Sequence, residues 1–290
     1  MLLKIQALAV LNGWTTLRYD TSNPDSHELI LKGEGLSGTE EIFIGVRTYE
    51  NVSADYYNLA VAGFTGYVPS NTWSTQPGFR ESGVPAHNQS IDYWLIVNAQ
   101  RIAFGLKVGT PVYESAYVGK IFPYATPSQF PYPLAVIGML NGASATRYSD
   151  TNHTMGFKGN RVNCALRWMD GTYKQPLMYP QNNSWVSGNS TSNVQEALRD
   201  TGDAYPILPM VMCEAVPNVF GELDGIGYVS NFNNTVESVI QVGGTPVVDN
   251  PAWTALERAQ EIIDAGGVPH VCLQDVSRTS FTDYFTMRLD

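Results

Sequence analysis

The stretch that most constrains the fold of this chain is residues 92–138. Its first half has two apolar runs, 93–97 and 102–108, separated by the short polar segment 98–101. Two apolar runs around a short polar turn predict a β-hairpin. A hairpin this apolar is not stable alone in water, so we expect further sheet or a partner to cover it.

The second half of this stretch, residues 113–132, is dense in Tyr, Phe and Pro. Proline lacks the N–H donor that a regular helix or a central strand needs. We therefore expect an extended loop that is held in place by its aromatic rings.

Composition limits the classes of function. The 290 residues allow one large or two ordinary domains, and 43% hydrophobic residues are enough for a core. Charged residues make up only 15%, and the net charge is -10, so we do not expect a broad basic face for duplex DNA or for a membrane surface. No apolar run approaches the ~20 residues that a membrane-spanning helix needs.

The pattern of strands and turns predicts a mainly β fold, with antiparallel sandwich or barrel-like sheets and long loops. Strands are expected at 27–33, 41–49, 162–168 and 205–216, among others. Residues 1–19 predict two strands around the Asn12-Gly13 turn. We expect a β domain over 1–139 and a second β-rich domain over 140–290, or a single intertwined unit.

One helix is predicted, over about 251–265. Asn250 is a good N-cap, Pro251 occupies the first helical position, and Gly266 follows the end. Residues 8–23 and 134–152 share an LAV run, an LNG turn and an Arg-Tyr pair, which raises the possibility of two related β units.

The start of the chain is not a convincing signal peptide, because Lys4 and Gln6 interrupt a short apolar run. We expect a protein made and used in a cytoplasm, or exported by another route. The three cysteines, Cys164, Cys213 and Cys272, lie far apart and form no CxxC motif. They predict buried free thiols in a reducing compartment.

Catalytic and cofactor signatures are missing from the sequence. There is no GxSxG elbow and no phosphate-binding loop, and the glycines of 33–38 predict a hairpin turn. The four histidines are isolated, so neither a metal nor a cofactor is expected. Residues 20–28 place oxygen atoms at alternate positions, which favours a polar turn and leaves a cation site as the alternative.

Two features could bind or act on a sugar. Glu222 and Asp224 have the types of a glycosidase carboxylate pair, although Asp224-Gly225 favours a hairpin turn and no enzyme activity is expected. Trp73, Trp185 and Tyr124 lie in predicted loops and are candidates for stacking on a glycan. Aromatic residues in loops are equally suited to protein contacts.

Seven blocks of the sequence resemble a family of tailed-bacteriophage virion proteins. They extend from near the first residue to the last and include GWTTLRYD, DYWLIVNAQRIAFGLKVGTPVYESAYVG and the terminal DVSRTSFTDYFTMRLD. The others lie at 42–67, 123–136, 205–212 and 217–229. The resemblance implies a structural or tail-associated role in a virion assembled in the host cytoplasm, and it carries no catalytic motif.

This resemblance implies that the partners are copies of the chain and other virion proteins. The predicted loops 68–90 and 121–133 would then supply contacts between subunits, or the second would cover the chain's own core. The candidate contact residues are aromatic: Trp73, Phe79, Phe122, Tyr124, Phe130 and Tyr132. The alternatives are a carbohydrate- or receptor-binding module at the tail end and a neck or collar component.

Overall fold

The computed structural model describes residues 1–109, 112–124, 134–149, 163–167, 171–179, 208–213, 219–229, 240–242, 245–247, 262–264, 269–274 and 284–289. Within these ranges the chain is mainly β, with antiparallel strand pairs and one α-helix. The predicted fold class is therefore confirmed.

Sheet A is formed by the first five strands, which pair in chain order. Side chains alternate between its faces: Ile44 and Val46 join the main core, whereas Phe43 packs against a smaller second core. The strands are β1 Thr15–Asp20, β2 Glu28–Gly33, β3 Ile42–Asn51, β4 Tyr56–Phe64 and β5 Arg80–Val84. The glycine-rich segment 33–38, at the end of β2, forms a turn, as predicted.

Sheet B contains the predicted hairpin, which the structure confirms as β6 and β7. The strands are β6 Asp92–Val97, β7 Arg101–Gly109, β8 Val112–Lys120, β10 Leu134–Ile137, β11 Cys164–Arg167 and β12 Tyr173–Lys174. Their order in the sheet is β12-β11-β10-β8-β7-β6, so β6 is an edge strand.

Sheet C combines late strands with one short strand, β9 Phe122–Pro123, which pairs with β15. The other strands follow the order β13-β14-β15-β20-β19-β18, and β16 and β17 form a separate pair. They are β13 Leu177–Tyr179, β14 Leu208–Cys213, β15 Val219–Val229, β16 Ile240–Val242, β17 Thr245–Val247, β18 Ile262–Asp264, β19 Pro269–Gln274 and β20 Tyr284–Arg288.

Sheet B is the middle of three layers. A Cβ added to Gly63 of β4 would lie 2.7 Å from Leu134 of β10, so sheet A packs on one face. A Cβ on Gly105 of β7 would overlap Leu273 of β19, so sheet C packs on the other face. Residues 101–106 of β7 are accordingly all buried. The expectation that other sheet must cover the apolar hairpin is confirmed.

The predicted extended loop over 113–132 is wrong for its first part. Residues 113–120 lie in β8, which pairs with both β7 and β10 and is buried along most of its length. The prolines that suggested a loop all lie outside β8, so nothing prevents 112–120 from forming a central strand. Residues 125–133 lie outside the described residues.

The N-terminal segment is a helix, α1 Leu2–Leu11, and not the predicted strand. Leu, Ala, Lys and Gln favour a helix here, and an apolar run of this length is ambiguous between helix and strand.

Because Ile262–Asp264 forms a strand against β19, the predicted C-terminal helix cannot reach residue 265. Residues 251–261 lie outside the described part of the chain.

Asp224-Gly225 is not the predicted hairpin turn but lies inside the long strand β15. Gly225 has φ +73°, a left-handed conformation that glycine adopts without strain, and the register with β14 shifts between Pro209 and Val211. A bulge in one strand thus explains the turn-like sequence.

The repeated LAV segment is no structural repeat, because 8–10 are helical whereas 134–136 form a strand.

Residues 65–79 cover the outer face of sheet A and are not a projecting arm. Trp73 is 4% exposed and forms the second core with Ile30, Ala62 and Phe64. Arg18 of β1 donates hydrogen bonds to the carbonyls of Asn71 and Pro69, at 2.6 and 3.2 Å. The prediction of a loop over 68–90 is wrong for residues 80–84, which form β5. That 68–90 contacts another subunit stays a prediction.

Two of the cysteines agree with the expectation: Cys164 and Cys272 are fully buried, and neither forms a disulfide. One continuous core joins residues of sheets A, B and C, including Val61, Phe104 and Leu273. The division of the chain near residue 139 stays a prediction.

Candidate functional site: an apolar helix face and an adjoining cleft

Helix α1 exposes apolar residues on the face that turns away from the core. Its inner face buries Leu2, Ile5 and Ala9. On the outer side Leu3 is 60% exposed, Val10 54% and Leu11 82%. A surface helix normally carries polar residues on its outer face, so the apolar face of α1 is unusual for a monomer.

An apolar groove lies between α1 and the edge strand β6. It has a volume of about 460 Å³ and is lined by Ala7, Leu8 and Leu11 of the helix and by Trp94 and Leu95 of the strand. Edge strands present unpaired main-chain groups and are commonly protected by proline, lysine or a bulge. Strand β6, with the sequence DYWLIV, has none of these, and α1 packs beside it.

A second concavity, which we call the end cleft, lies on the other side of Lys4 and Tyr93. Its volume is about 430 Å³, and it lies where the ends of β3 and β4, the loop before β6 and the start of α1 meet. Its apolar wall includes Leu59, Ala86 and Leu106. The size is within the range of small-molecule sites.

Two tyrosines and several neutral polar groups line the end cleft. Tyr93 is 40% exposed and Tyr57 is half-buried. Tyr57 is on β4 opposite Glu50 of β3, which also lines the cleft. The cleft therefore combines flat rings with hydrogen-bonding groups, the two components of a polar ligand site.

The loop that carries His87, Asn88 and Gln89 has an ordered arrangement. The Gln89 backbone N–H donates to His87 Nδ1 at 2.9 Å, and Gln89 Nε2 donates to Asn88 Oδ1 at 2.9 Å. Because Nδ1 accepts a hydrogen bond, the ring proton of a neutral His87 lies on Nε2. The His87 ring packs edge-on against Tyr148, with centroids 5.0 Å apart.

The structure buries Trp73, one of the aromatic residues predicted to make contacts. The Trp73 ring meets Phe64 edge-on at 5.4 Å, and its indole N–H donates to Glu81 at 2.9 Å. Phe79 packs beside them, 6.3 Å from Phe64. In this position Trp73 presents no ring to a glycan or to another subunit, which corrects the prediction for both roles.

The remaining predicted residues are spread over other parts of the fold. Phe122 is half-buried in β9, and Tyr124 is 54% exposed and donates a hydrogen bond to Glu222 at 2.6 Å. Desolvation and the neighbouring Glu222 raise the pKa of Tyr124. Phe130, Tyr132 and Trp185 lie outside the described residues.

Glu222 and Asp224 do not form a carboxylate pair that faces a substrate. Asp224 is fully buried, with Oδ2 3.4 Å from Arg101 Nε and Oδ1 3.3 Å from Arg288 Nη2. Asn98 and Gln100 donate further hydrogen bonds to Oδ2. The Asp224 carboxylate therefore holds sheets B and C together, while Glu222 contacts Tyr124.

No group of three His, Cys, Asp or Glu side chains in the described ranges is arranged to hold a metal ion. In residues 20–28 the polar side chains cap their own turn: Asp20 accepts from the Ser22 N–H at 2.8 Å and Asn23 from the Asp25 N–H at 3.1 Å. Helix α1, the α-helix of the described residues, is too short to cross a bilayer.

Sequence reasoning missed the end cleft and the outer face of α1. Tyr57 and Tyr93 each belong to an apolar strand segment, and nothing local marks them as partly exposed. Alternation along β6 gives the only hint, because it places Tyr93 and Leu95 on one face. Comparison with known proteins adds no further assignment, since no family model and no curated protein sequence matches the chain.

Proposed function

We propose that this chain is a structural subunit of a tailed-bacteriophage virion, in the tail or baseplate, that acts through contacts with neighbouring subunits. The observation that carries the proposal is the apolar outer face of α1 beside the edge strand β6. Apolar side chains give up no hydrogen bonds to water when another protein covers them. Burial of Leu3, Val10 and Leu11 in a contact therefore stabilises the complex. A neck or collar position is the alternative within the same virion role.

The occupant proposed for this face is a second copy of the chain. A two-fold arrangement would set β6 antiparallel to β6 of the partner and would join two copies of sheet B edge to edge. The face also carries both charge signs, with Lys4 on the helix and Asp92 at the start of β6. Opposite charges can therefore meet across the contact even though each chain has a net charge of -10.

Light scattering of the purified protein tests this contact. We expect a dimer or larger assembly for the wild type and a monomer for Leu3→Glu and for Leu11→Glu. Leu36→Glu is the matched control, because Leu36 is 59% exposed but lies in the turn after β2. A monomeric wild type, or equal dissociation of the Leu36 variant, would contradict the proposed self-contact.

Assembled particles test the virion role separately. In particles purified from the phage that encodes the chain, we expect quantitative mass spectrometry to find it at a fixed copy number. In phage that carry Leu11→Glu we expect particles that lack this chain, or no complete particles. Complete particles that never contain the wild-type chain would refute a structural role.

A further inference from the structure

We propose that the end cleft binds a short neutral oligosaccharide. This inference goes beyond the proposed virion role and does not rest on it, because it depends only on the cleft between the ends of sheets A and B. The binding residues are Tyr57 and Tyr93 as ring platforms, with Glu50, Lys4, Asn88 and Gln89 as polar partners.

The first argument is the shape and composition of the cleft. Its volume of about 430 Å³ is within the range of ligand pockets, about 300–1,000 Å³. The apolar floor is supplied by Leu59 and Leu106, and Tyr93 stands at the border of the cleft with two-fifths of its surface exposed. A tyrosine ring offers a flat apolar face together with a polar hydroxyl. A pyranose ring has the complementary form, with C–H groups on its faces and hydroxyls at its edge.

The second argument is charge. Among the described lining residues, Lys4 and Glu50 contribute one cationic and one anionic side chain, His87 adds an imidazole, and there is no arginine. A phosphate or carboxylate ligand would be expected to meet a guanidinium or a cluster of cations. A divalent cation needs several oxygen ligands, and the described lining residues supply one carboxylate, that of Glu50. The lining therefore matches an uncharged ligand.

The third argument is the hydrogen-bonding capacity of the cleft border. The hydrogen bond from Gln89 to Asn88 uses one donor and one acceptor, so Gln89 Oε1 and Asn88 Nδ2 remain to bind a ligand. Glu50 adds two acceptor oxygens and Lys4 adds a donor. Vicinal hydroxyls donate and accept at the same time, and this mixed set of donors and acceptors suits them.

The cleft is also preformed, which reduces the entropy lost on binding. Asn58 at its base is 2% exposed, and its Nδ2 donates to the Thr146 carbonyl at 2.9 Å. Its Oδ1 accepts from the Ala86 N–H at 3.2 Å. These bonds fix the loop that carries His87 to Gln89 against β4, so the polar partners are held in place before a ligand arrives.

The test begins with an array of neutral oligosaccharides that contain glucose, galactose, mannose or N-acetylglucosamine. We expect the wild-type protein to bind at least one of them, and calorimetry with that sugar then gives its affinity. Tyr93→Ala should weaken binding about tenfold, and Tyr93→Phe should retain most of it, because the ring supplies the stacking surface. Glu50→Gln should also weaken binding.

Tyr19→Ala is the matched control, because Tyr19 is 41% exposed and lies on β1 outside the cleft. Thermal unfolding of each variant separates loss of binding from loss of fold. Absence of binding to the whole array would overturn the proposal. So would binding that appears only in a parallel array of acidic sugars, or an equal loss of affinity in the Tyr19 variant.

Discussion

The side chain of Asn98, in the turn between β6 and β7, donates a hydrogen bond of 2.5 Å to the carboxylate of Asp224 on β15, 126 residues later in the chain. The same carboxylate accepts from Gln100 at 3.0 Å and lies 3.4 Å from Arg101. The backbone N–H of Asp224 donates to Tyr117 Oη at 3.3 Å. Asp224 therefore links the central hairpin to sheet C through the buried Gln100, Arg101 and Tyr117 and the half-buried Asn98.

Asp224→Ala should lower the free energy of unfolding by about 3–5 kcal/mol, because it leaves the fully buried Arg101 guanidinium without its anion. Urea denaturation followed by circular dichroism measures the change. Asp25→Asn, an exposed carboxylate in the β1–β2 connection, should change stability by less than about 0.5 kcal/mol. A loss in the Asp224 variant no larger than in this control would show that the buried charges do not hold the sheets together.

Alkaline pH should destabilise the fold. Burial raises the pKa of Tyr49, Tyr117 and Cys164 above their ordinary values, 10.0 for tyrosine and 9.0 for cysteine. The nearby Asp224 charge is a second cause for Tyr117. Above about pH 9 the unfolded chain releases protons that the folded chain retains, so the free energy of unfolding falls as pH rises.

Urea midpoints between about pH 7.5 and about pH 10.5 test this prediction, and the decline should begin near the pKa of an unfolded thiol. Tyr117→Phe removes one of the three groups and should make the alkaline decline shallower, even though it also removes a buried hydrogen bond. Tyr19→Phe, on a 41% exposed ring, serves as the control. Flat stability across this pH range would contradict the prediction.

The central hairpin could be predicted from the sequence because its signal is local. Two apolar runs around 98–101 specify two antiparallel strands, and their apolarity on both faces requires a layer on each side. Strand β15 shows the limit of the same reasoning. Asp224-Gly225 has the composition of a turn, but pairing of β15 with β14, β9 and β20 overrides that preference.

The candidate sites were harder to predict because they depend on which faces remain uncovered. Trp73 lies in a segment rich in Pro, Gly and Ser and resembles a surface residue, yet sheet A supplies a second apolar face that the ring covers. Leu3 and Ile5 are both aliphatic and only two residues apart, so the sequence does not distinguish them, whereas the structure buries Ile5 and exposes Leu3. Exposure of this kind is a property of the tertiary arrangement and not of local propensity.

Trp73→Ala should destabilise the protein by about 3–5 kcal/mol, because it removes the largest side chain of the second core. It also leaves Glu81 without the indole donor, although Arg47 still pairs with that carboxylate at 3.1 Å. Thermal unfolding measures the loss, with Tyr19→Ala as the exposed aromatic control. Unchanged stability of the Trp73 variant would mean that residues 65–79 do not depend on this contact.

Gly45→Ala should destabilise the protein by about 1–3 kcal/mol through overpacking. A Cβ at Gly45 would lie 2.8 Å from the Trp73 ring and 2.9 Å from the Leu29 carbonyl oxygen, whereas a Cβ at Gly66 would meet nothing closer than 3.9 Å. Gly66→Ala is therefore the matched control and should be close to neutral.

The double variant Gly45→Ala with Trp73→Ala separates the two clashes. If the ring is the main obstacle, the cost of Gly45→Ala should shrink once Trp73 is absent, and a coupling energy above about 0.5 kcal/mol should appear. Strict additivity would place the obstacle at the Leu29 backbone instead.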